Sequence, residues 1–160
     1  MNAHINMHNP RSRFHQQCGV ATIEFAICAP VLFLLMFATA EVGRAMLQYN
    51  TLVKAVRDGA RYVATNAEVG STRVVNIDAT KRDQTRNLVV TGNVAGTGTA
   101  LLPGLTVNNV AVTDVGNGFI QVAATYTYVP MVGARLPTFG FGPPINLSVT
   151  LPATVVMRAL

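Results

Sequence analysis

From Val20 to Ala40 every position is apolar or small except Glu24 and the threonines. As a helix these roughly 21 residues rise about 31 Å, which matches a hydrocarbon core of about 30 Å. The pattern then changes without a break. Val42, Ala45, Met46, Tyr49, Leu52, Val53, Val56, Ala60 and Val63 recur at steps of three and four, while Glu41, Arg44, Gln48, Lys54, Arg57, Asp58 and Arg61 take the positions between them. One helix from about Val20 to Ala64 is predicted, a membrane segment over 20–40 continued by an amphipathic stem over 41–67. Gly59 interrupts the apolar stripe at a cost of about 1 kcal/mol against alanine, so it marks either a close contact or a bend. Pro30 lacks an N–H and its ring clashes one turn back, which predicts a kink near Ala26 that a membrane helix can absorb.

Beyond the stem the periodicity shortens. A loop around Glu68–Thr72 leads into Ile77–Val90, read as a short amphipathic helix with Asp78 near its start and Gly92-Asn93 punctuating its end. The glycine-rich run from Gly92 to Ala100 lacks both a preceding strand and a Gly-Lys-Ser/Thr ending, so it is a surface loop, not a phosphate cradle. Leu105–Val115 and Phe119–Val129 alternate with a period of two around the turn Gly116-Asn117-Gly118, which predicts an antiparallel hairpin. A Pro/Gly-rich loop over Pro130–Pro144 precedes a third strand from Ile145 onward, where Pro152 demands an edge position or a bulge. The expected fold is α+β: a long N-terminal helix, a short helix and a small antiparallel sheet, with residues 68–160 forming one small extracytoplasmic domain.

Composition narrows the function. Half of the residues are hydrophobic and only 12% are charged, about half the share usual in a soluble domain. The net charge of +5 falls to +3 after Gly19, once Arg11 and Arg13 are set aside, and the remaining basic residues are interleaved with acids. No basic and aromatic platform for nucleic acid results. Cys18 and Cys28 lie beside and inside the apolar run, so they do not staple a folded domain. His4, His8 and His15 all precede Gly19, the carboxylates form no close pair, and Ser71 and Ser148 lack an activating base. No catalytic, cofactor or metal site is expected, and no small-molecule substrate. Asn146-Leu147-Ser148 has the form of a glycosylation sequon, which is idle in a bacterial setting. Tyr126 and Tyr128, two apart, share a sheet face as packing or interface residues.

Glu24 is the exception that asks for a reason, because a carboxylate in hydrocarbon costs at least about 2.5 kcal/mol. Three readings of the N-terminal region remain open. The run is an uncleaved anchor, with the basic segment before it on the cytoplasmic side. Alternatively it is a secretory signal cut after Ala38-Thr39-Ala40, which releases a binding module. In the third reading residues 1–19 are a leader removed after Gly19, which keeps the apolar helix on the mature chain. The new α-amino group of Val20, with a reference pKa near 8, would then be cationic and paired with Glu24 of a neighbouring subunit.

The stretch G-V-A-T-I-E-F-A-I-C-A-P-V-L-F-L-L-M-F, followed by E-V-G-R and later R-D-G-A-R, resembles the TadE-like proteins, minor pilins or pseudopilins of the tight-adherence type of type IV pilus system. The resemblance covers Gly19 to about Arg61. Its motif positions are Gly19, Val20, Glu24, Phe25, Pro30, Gly43, Arg44, Gly59 and Arg61, and R-N-L-V-V-T-G-N and V-A-A-T-Y-T-Y are similar to the family's later half. It implies cutting by a prepilin peptidase between Gly19 and Val20. It also implies partners among pilin and pseudopilin subunits, the inner-membrane assembly platform and membrane lipid, with the C-terminal domain periplasmic or carried outward in a pilus. A membrane-anchored accessory of a secretion machine is the other reading of the same residues.

Overall fold

Helix α1 runs from Ser12 to Asn66 with Pro30 inside it, in a computed structural model that describes residues 12–67, 75–131, 133–136, 138 and 142–160. The helix starts ahead of the expected Val20, and its backbone passes through Gly19 without a break. Helix α2 (Ala79–Thr91) begins two residues past the expected Ile77 for a chemical reason: the Asp78 side chain accepts a hydrogen bond from the Lys81 N–H at 2.7 Å, which satisfies one of the donors a helix start leaves bare. It ends at Gly92, whose φ of 80° lies in the left-handed region and whose N–H reaches the Leu88 carbonyl at 2.9 Å. The loop expected around Glu68–Thr72 lies outside the described residues.

Three strands form the main sheet in the order β1 (Val110–Gly116), β2 (Phe119–Thr127), β5 (Thr150–Arg158), with both pairings antiparallel. The turn between β1 and β2 places Gly116, Asn117 and Gly118 at positive φ, as its composition foretells. The first strand is shorter than its alternation suggests. Residues 107–109 form a 3-10 turn in which the Asn109 side chain accepts from the Thr106 N–H at 2.9 Å, so the chain pairs only from Val110. The third strand is also divided. Ile145–Asn146 (β4) pairs with Arg135–Leu136 (β3) as a separate two-stranded ribbon, and the sheet resumes at Thr150. Pro152 lies in β5 at the sheet's edge, the position a residue without an N–H tolerates.

The core lies between the second half of α1, α2 and one face of the sheet. Leu52, Val56, Ala60 and Val63 of α1 meet Val89 and Val90 of α2 and the inward set Ile120, Val122, Ala124 and Tyr126 of β2. Burying each Val, Leu or Ile side chain contributes about 1.5–3 kcal/mol, which is why the period-two face of β2 and the helical stripe find each other. Gly59 is a close contact. A Cβ there would stand 2.5 Å from Val89 Cγ2, so α2 crosses α1 where α1 has no side chain.

Strand β2 runs back along α1 toward the apolar segment. At its start the Ala159 N–H bonds to the Gly118 carbonyl at 2.8 Å and the Leu160 N–H to the Ala64 carbonyl at 2.9 Å, near the end of the helix. At the other end Tyr126 and Tyr128 reach Gln48 and Glu41. The end of β2 therefore sits at the base of the stem, beside Ala40.

Candidate functional site: a bare apolar helix and the carboxylate at its base

Helix α1 has no residue buried by the rest of the fold along residues 19–37. Its most apolar 18-residue window has a mean hydropathy of 2.3 and none of it is buried. Val20, Ile23, Phe25, Ile27, Leu32, Phe33, Leu35 and Met36 are all exposed. Among soluble chains a contiguous apolar surface of this extent marks an interaction site, and its length and composition suffice to cross a membrane. Local polarity is satisfied within the helix where it occurs: the Thr39 hydroxyl donates to the Leu35 carbonyl at 2.8 Å. Phe33 and Phe37 stack one turn apart with centroids 6.5 Å from each other.

Glu24 stands on this bare segment, exposed. Val20 lies four residues earlier and shares its helix face. Gly19 is exposed too, with no atom within 4 Å of where a Cβ would be. Gly19, Val20, Glu24, Phe25 and Pro30 thus follow one another along a free helix. Gly43 and Arg44 lie a turn past the apolar run, Gly43 open to its surroundings and Arg44 half-buried. Gly59 packs on α2, and Arg61 is exposed beyond it. The motif positions therefore divide into a free set and a set inside or beside the globular fold.

At the junction the structure corrects the expected helix face. Val42 and Met46, assigned to the buried stripe, are 63% and 66% exposed, and Tyr49 is exposed as well; Glu41 and Gln48, assigned to the polar side, are buried. Helix geometry puts Glu41, Gln48, Leu52, Ala55 and Val56 on one face, and the sheet settles on that face because its two tyrosines bring hydroxyl groups to meet the polar pair. The Tyr126 hydroxyl donates to Gln48 Oε1 at 3.0 Å. The Tyr128 hydroxyl makes a very short hydrogen bond to Glu41 Oε2, and the Met131 backbone N–H donates to Glu41 Oε1 at 2.9 Å. Two residues along a strand and seven along a helix each return to the same face, so the tyrosine pair and the Glu41/Gln48 pair are in register.

This arrangement was missed in the sequence, although its signal is there: a Tyr-x-Tyr alternation, and a Glu and a Gln seven apart directly after the apolar run. Tyr126 and Tyr128 act in packing, as their alternation indicated. Burial raises the affinity of the Tyr128 hydroxyl for its proton, as does its bond to the Glu41 carboxylate, and Arg44 opposes the shift; the pKa is pushed up to about 12. Tyr126 moves in the same direction, chiefly by desolvation. Both remain neutral donors over the physiological range.

An apolar cleft of about 180 Å³ opens beside the carboxylate, lined by Ala38, Val42, Ala45 and Tyr128 together with Ile145, Leu147 and Val149. Among the described residues no group of three His, Cys, Asp or Glu side chains converges as a metal site would.

Compared with known families, the chain matches the family model described as TadE-like protein over residues 19–61. The match begins at Gly19 and ends at Arg61, so it takes in the free apolar segment, the Glu41 junction and the Gly59 contact, and leaves the sheet outside. No curated protein and no solved structure matches the chain significantly.

Proposed function

We propose that this chain, whose TadE-like segment points to a pilus-associated membrane protein, is a minor pilin or pseudopilin of a tight-adherence pilus system. A prepilin peptidase trims it after Gly19, and its apolar helix recruits it into the pilus or the complex that initiates one. The observation that carries this reading is the coincidence of the family match, residues 19–61, with a helix that is wholly unburied over its apolar half and load-carrying over its second half. A helix that anchors a domain at one end and offers a bare apolar surface at the other suits lateral packing against like helices, in the membrane and then in a filament. Repetition of one such contact builds an open assembly. The role is structural: assisting assembly, secretion or adhesion.

Glu24 acts in this reading as the partner of the amine that cutting at Gly19 would create on Val20. An unpaired charge in an apolar bundle is strongly destabilising, so each incoming helix is drawn to the register in which its amine meets a carboxylate. Before assembly the segment spans the cytoplasmic membrane with its N-terminus inside and its globular domain in the periplasm. The inner-membrane assembly platform and the other pilin and pseudopilin subunits are its partners.

Release after Ala40 as a secreted binding module is the weaker reading. It would create a terminus at Glu41, whose carboxylate holds both Tyr128 and Met131. Gly19 carries no comparable tertiary bond.

The deciding measurement is the N-terminal sequence and intact mass of the protein extracted from membranes of its native host. A chain that begins at Val20 supports trimming. One that begins at Glu41 replaces this reading with the secreted module, and one with residues 1–19 intact reduces it to a plain anchor. Co-purification with sheared filaments then separates a pilus subunit from an accessory that stays in the membrane.

A further inference from the structure

The globular domain does not end in a neutral surface beside the membrane. Glu41 follows directly on the apolar run, and the polar headgroup layer adds about 5–7 Å on each side of the hydrocarbon, which corresponds to about four helical residues. Glu41 to Arg44 thus occupy the headgroup layer if 20–40 spans the bilayer. The Met131 N–H is bonded to Glu41, the Tyr128 N–H to the Val149 carbonyl at 2.9 Å, and the Leu147 N–H to the Ala134 carbonyl at 3.0 Å. These bonds fix the end of β2, the β3–β4 ribbon and the approach to β5 at the same level.

Apolar side chains are exposed at that level, Met131 at 75%, Val129, Ile145 and Val149, with Val42 on the helix itself; the uncharged Asn146 and Ser148 are exposed among them. Ile145 and Val149 line the cleft with Ala38, a residue of the apolar run. Between Tyr128 and Thr150 the sequence carries one charged residue, Arg135, which is exposed. Arg44 of the stem lies half-buried at the same level, and the other charges among the domain's described residues lie further along: Asp78, Lys81, Arg82, Asp83 and Arg86 at the cap and on the body of α2, Asp114 on β1 and Arg158 on β5. Helix α2 packs against Gly59, about 18 residues or 27 Å further along α1.

We propose that this end of the domain is a membrane-docking surface: Met131, Val129, Ile145 and Val149 settle into the headgroup–acyl boundary of the bilayer that holds α1, and lipid fills the cleft beside Ala38 and Val42. The partner is lipid because the patch is continuous with the membrane segment, is held at headgroup depth by the Glu41 bonds, and has beside it the cations Arg44 and Arg135, which suit anionic headgroups. The consequence is orientation. Docking fixes the tilt of the domain on its stem and presents α2 and β1 away from the membrane, so entry into an assembly requires the patch to leave lipid. This inference rests on the membrane-spanning reading above.

The test uses the full chain in lipid nanodiscs containing anionic phospholipid, in a Cys18→Ser/Cys28→Ala background, with spin labels placed one at a time by Met131→Cys, Val149→Cys, Phe33→Cys and Val115→Cys. Relaxation by lipid-soluble oxygen is compared with relaxation by a water-soluble nickel chelate. Labels at 131 and 149 are expected to show an oxygen-to-nickel ratio several-fold above that at 115, approaching the value at 33. Ratios at 131 and 149 equal to that at 115, with 33 lipid-exposed, overturn the docking and leave the span intact. A water-exposed label at 33 overturns the span and the docking with it. Labels at 131 and 149 shielded from both reagents assign the patch to another protein copy and overturn the lipid partner.

Discussion

Replacing Tyr128 by phenylalanine removes one oxygen atom and tests the bond that fixes the domain to the base of its stem. The lost hydroxyl donates to a buried carboxylate, and a hydrogen bond to a charged group contributes about 1.5–3 kcal/mol, against about 0.5–1.5 kcal/mol between neutral groups. Tyr126 supplies the internal comparison, since its hydroxyl donates to the neutral amide oxygen of Gln48 in an equally buried site. At about 4 °C per kcal/mol for a folded unit of this size, Tyr128→Phe lowers the melting temperature by about 6–12 °C and Tyr126→Phe by about 2–6 °C. Calorimetry in detergent micelles reads the globular transition without interference from the micelle-embedded helix. A Glu41→Gln background, which removes the charge and keeps one of the two acceptor oxygens, should shrink the Tyr128→Phe penalty to the neutral range, and the double-mutant cycle isolates that difference. If Tyr128→Phe melts within a degree of the wild type, or costs less than Tyr126→Phe, the Glu41 bond does not hold the base of the domain.

The same hydroxyl makes stability depend on alkaline pH. Its folded pKa is raised to about 12 from 10.0, so its contribution is full below about pH 10 and is lost as pH climbs toward 12; relative to Tyr128→Phe, wild type should lose about 3 kcal/mol across that window in denaturant titrations. Gly59→Ala, which in an open helix would gain about 1 kcal/mol, should destabilise by about 1–3 kcal/mol because its methyl meets Val89, and adding Val89→Ala should return part of the loss; unfolding midpoints of the two variants check this. Gly43→Ala meets no neighbour and should raise stability by up to about 1 kcal/mol in the isolated chain; if the same variant fails to co-purify with filaments, the missing side chain at 43 serves contact between subunits. Glu24→Ala should leave membrane insertion and the melting transition unchanged while abolishing recovery in sheared filaments, and normal recovery would remove Glu24 from the assembly mechanism.

Local physics made much of this molecule legible. A continuous apolar run of spanning length is its own signal, and so is the three-and-four periodicity that carries the helix past Ala40. Asp78, Gly92 and the Gly-Asn-Gly turn each declare a boundary because the backbone conformation or unsatisfied N–H groups there favour few residue types. The alternation in Phe119–Thr127 fixes which side chains of β2 face inward, and Pro152 restricts its strand to an edge. The short pairing of residues 135–136 with 145–146 was not legible, because two-residue strands have no periodicity to read.

Which side of the stem is buried was also beyond the sequence. Hydrophobicity favoured the stripe through Val42 and Met46, and the tertiary structure chose the neighbouring face through Glu41 and Gln48. The reason is that a polar group's cost of burial depends wholly on its partner, and the partners here are hydroxyl groups 78 and 87 residues away in the chain. Gly59 shows the same division: its place in the stripe is read from the chain, while its use as a contact depends on where Val89 comes to rest. Periodicity and end signals along the chain suffice for a long helix with an apolar half, a capped second helix and a hairpin. That a tyrosine-held carboxylate joins the two halves of the molecule emerges from the packing alone, since long-range hydrogen bonds leave no periodic trace.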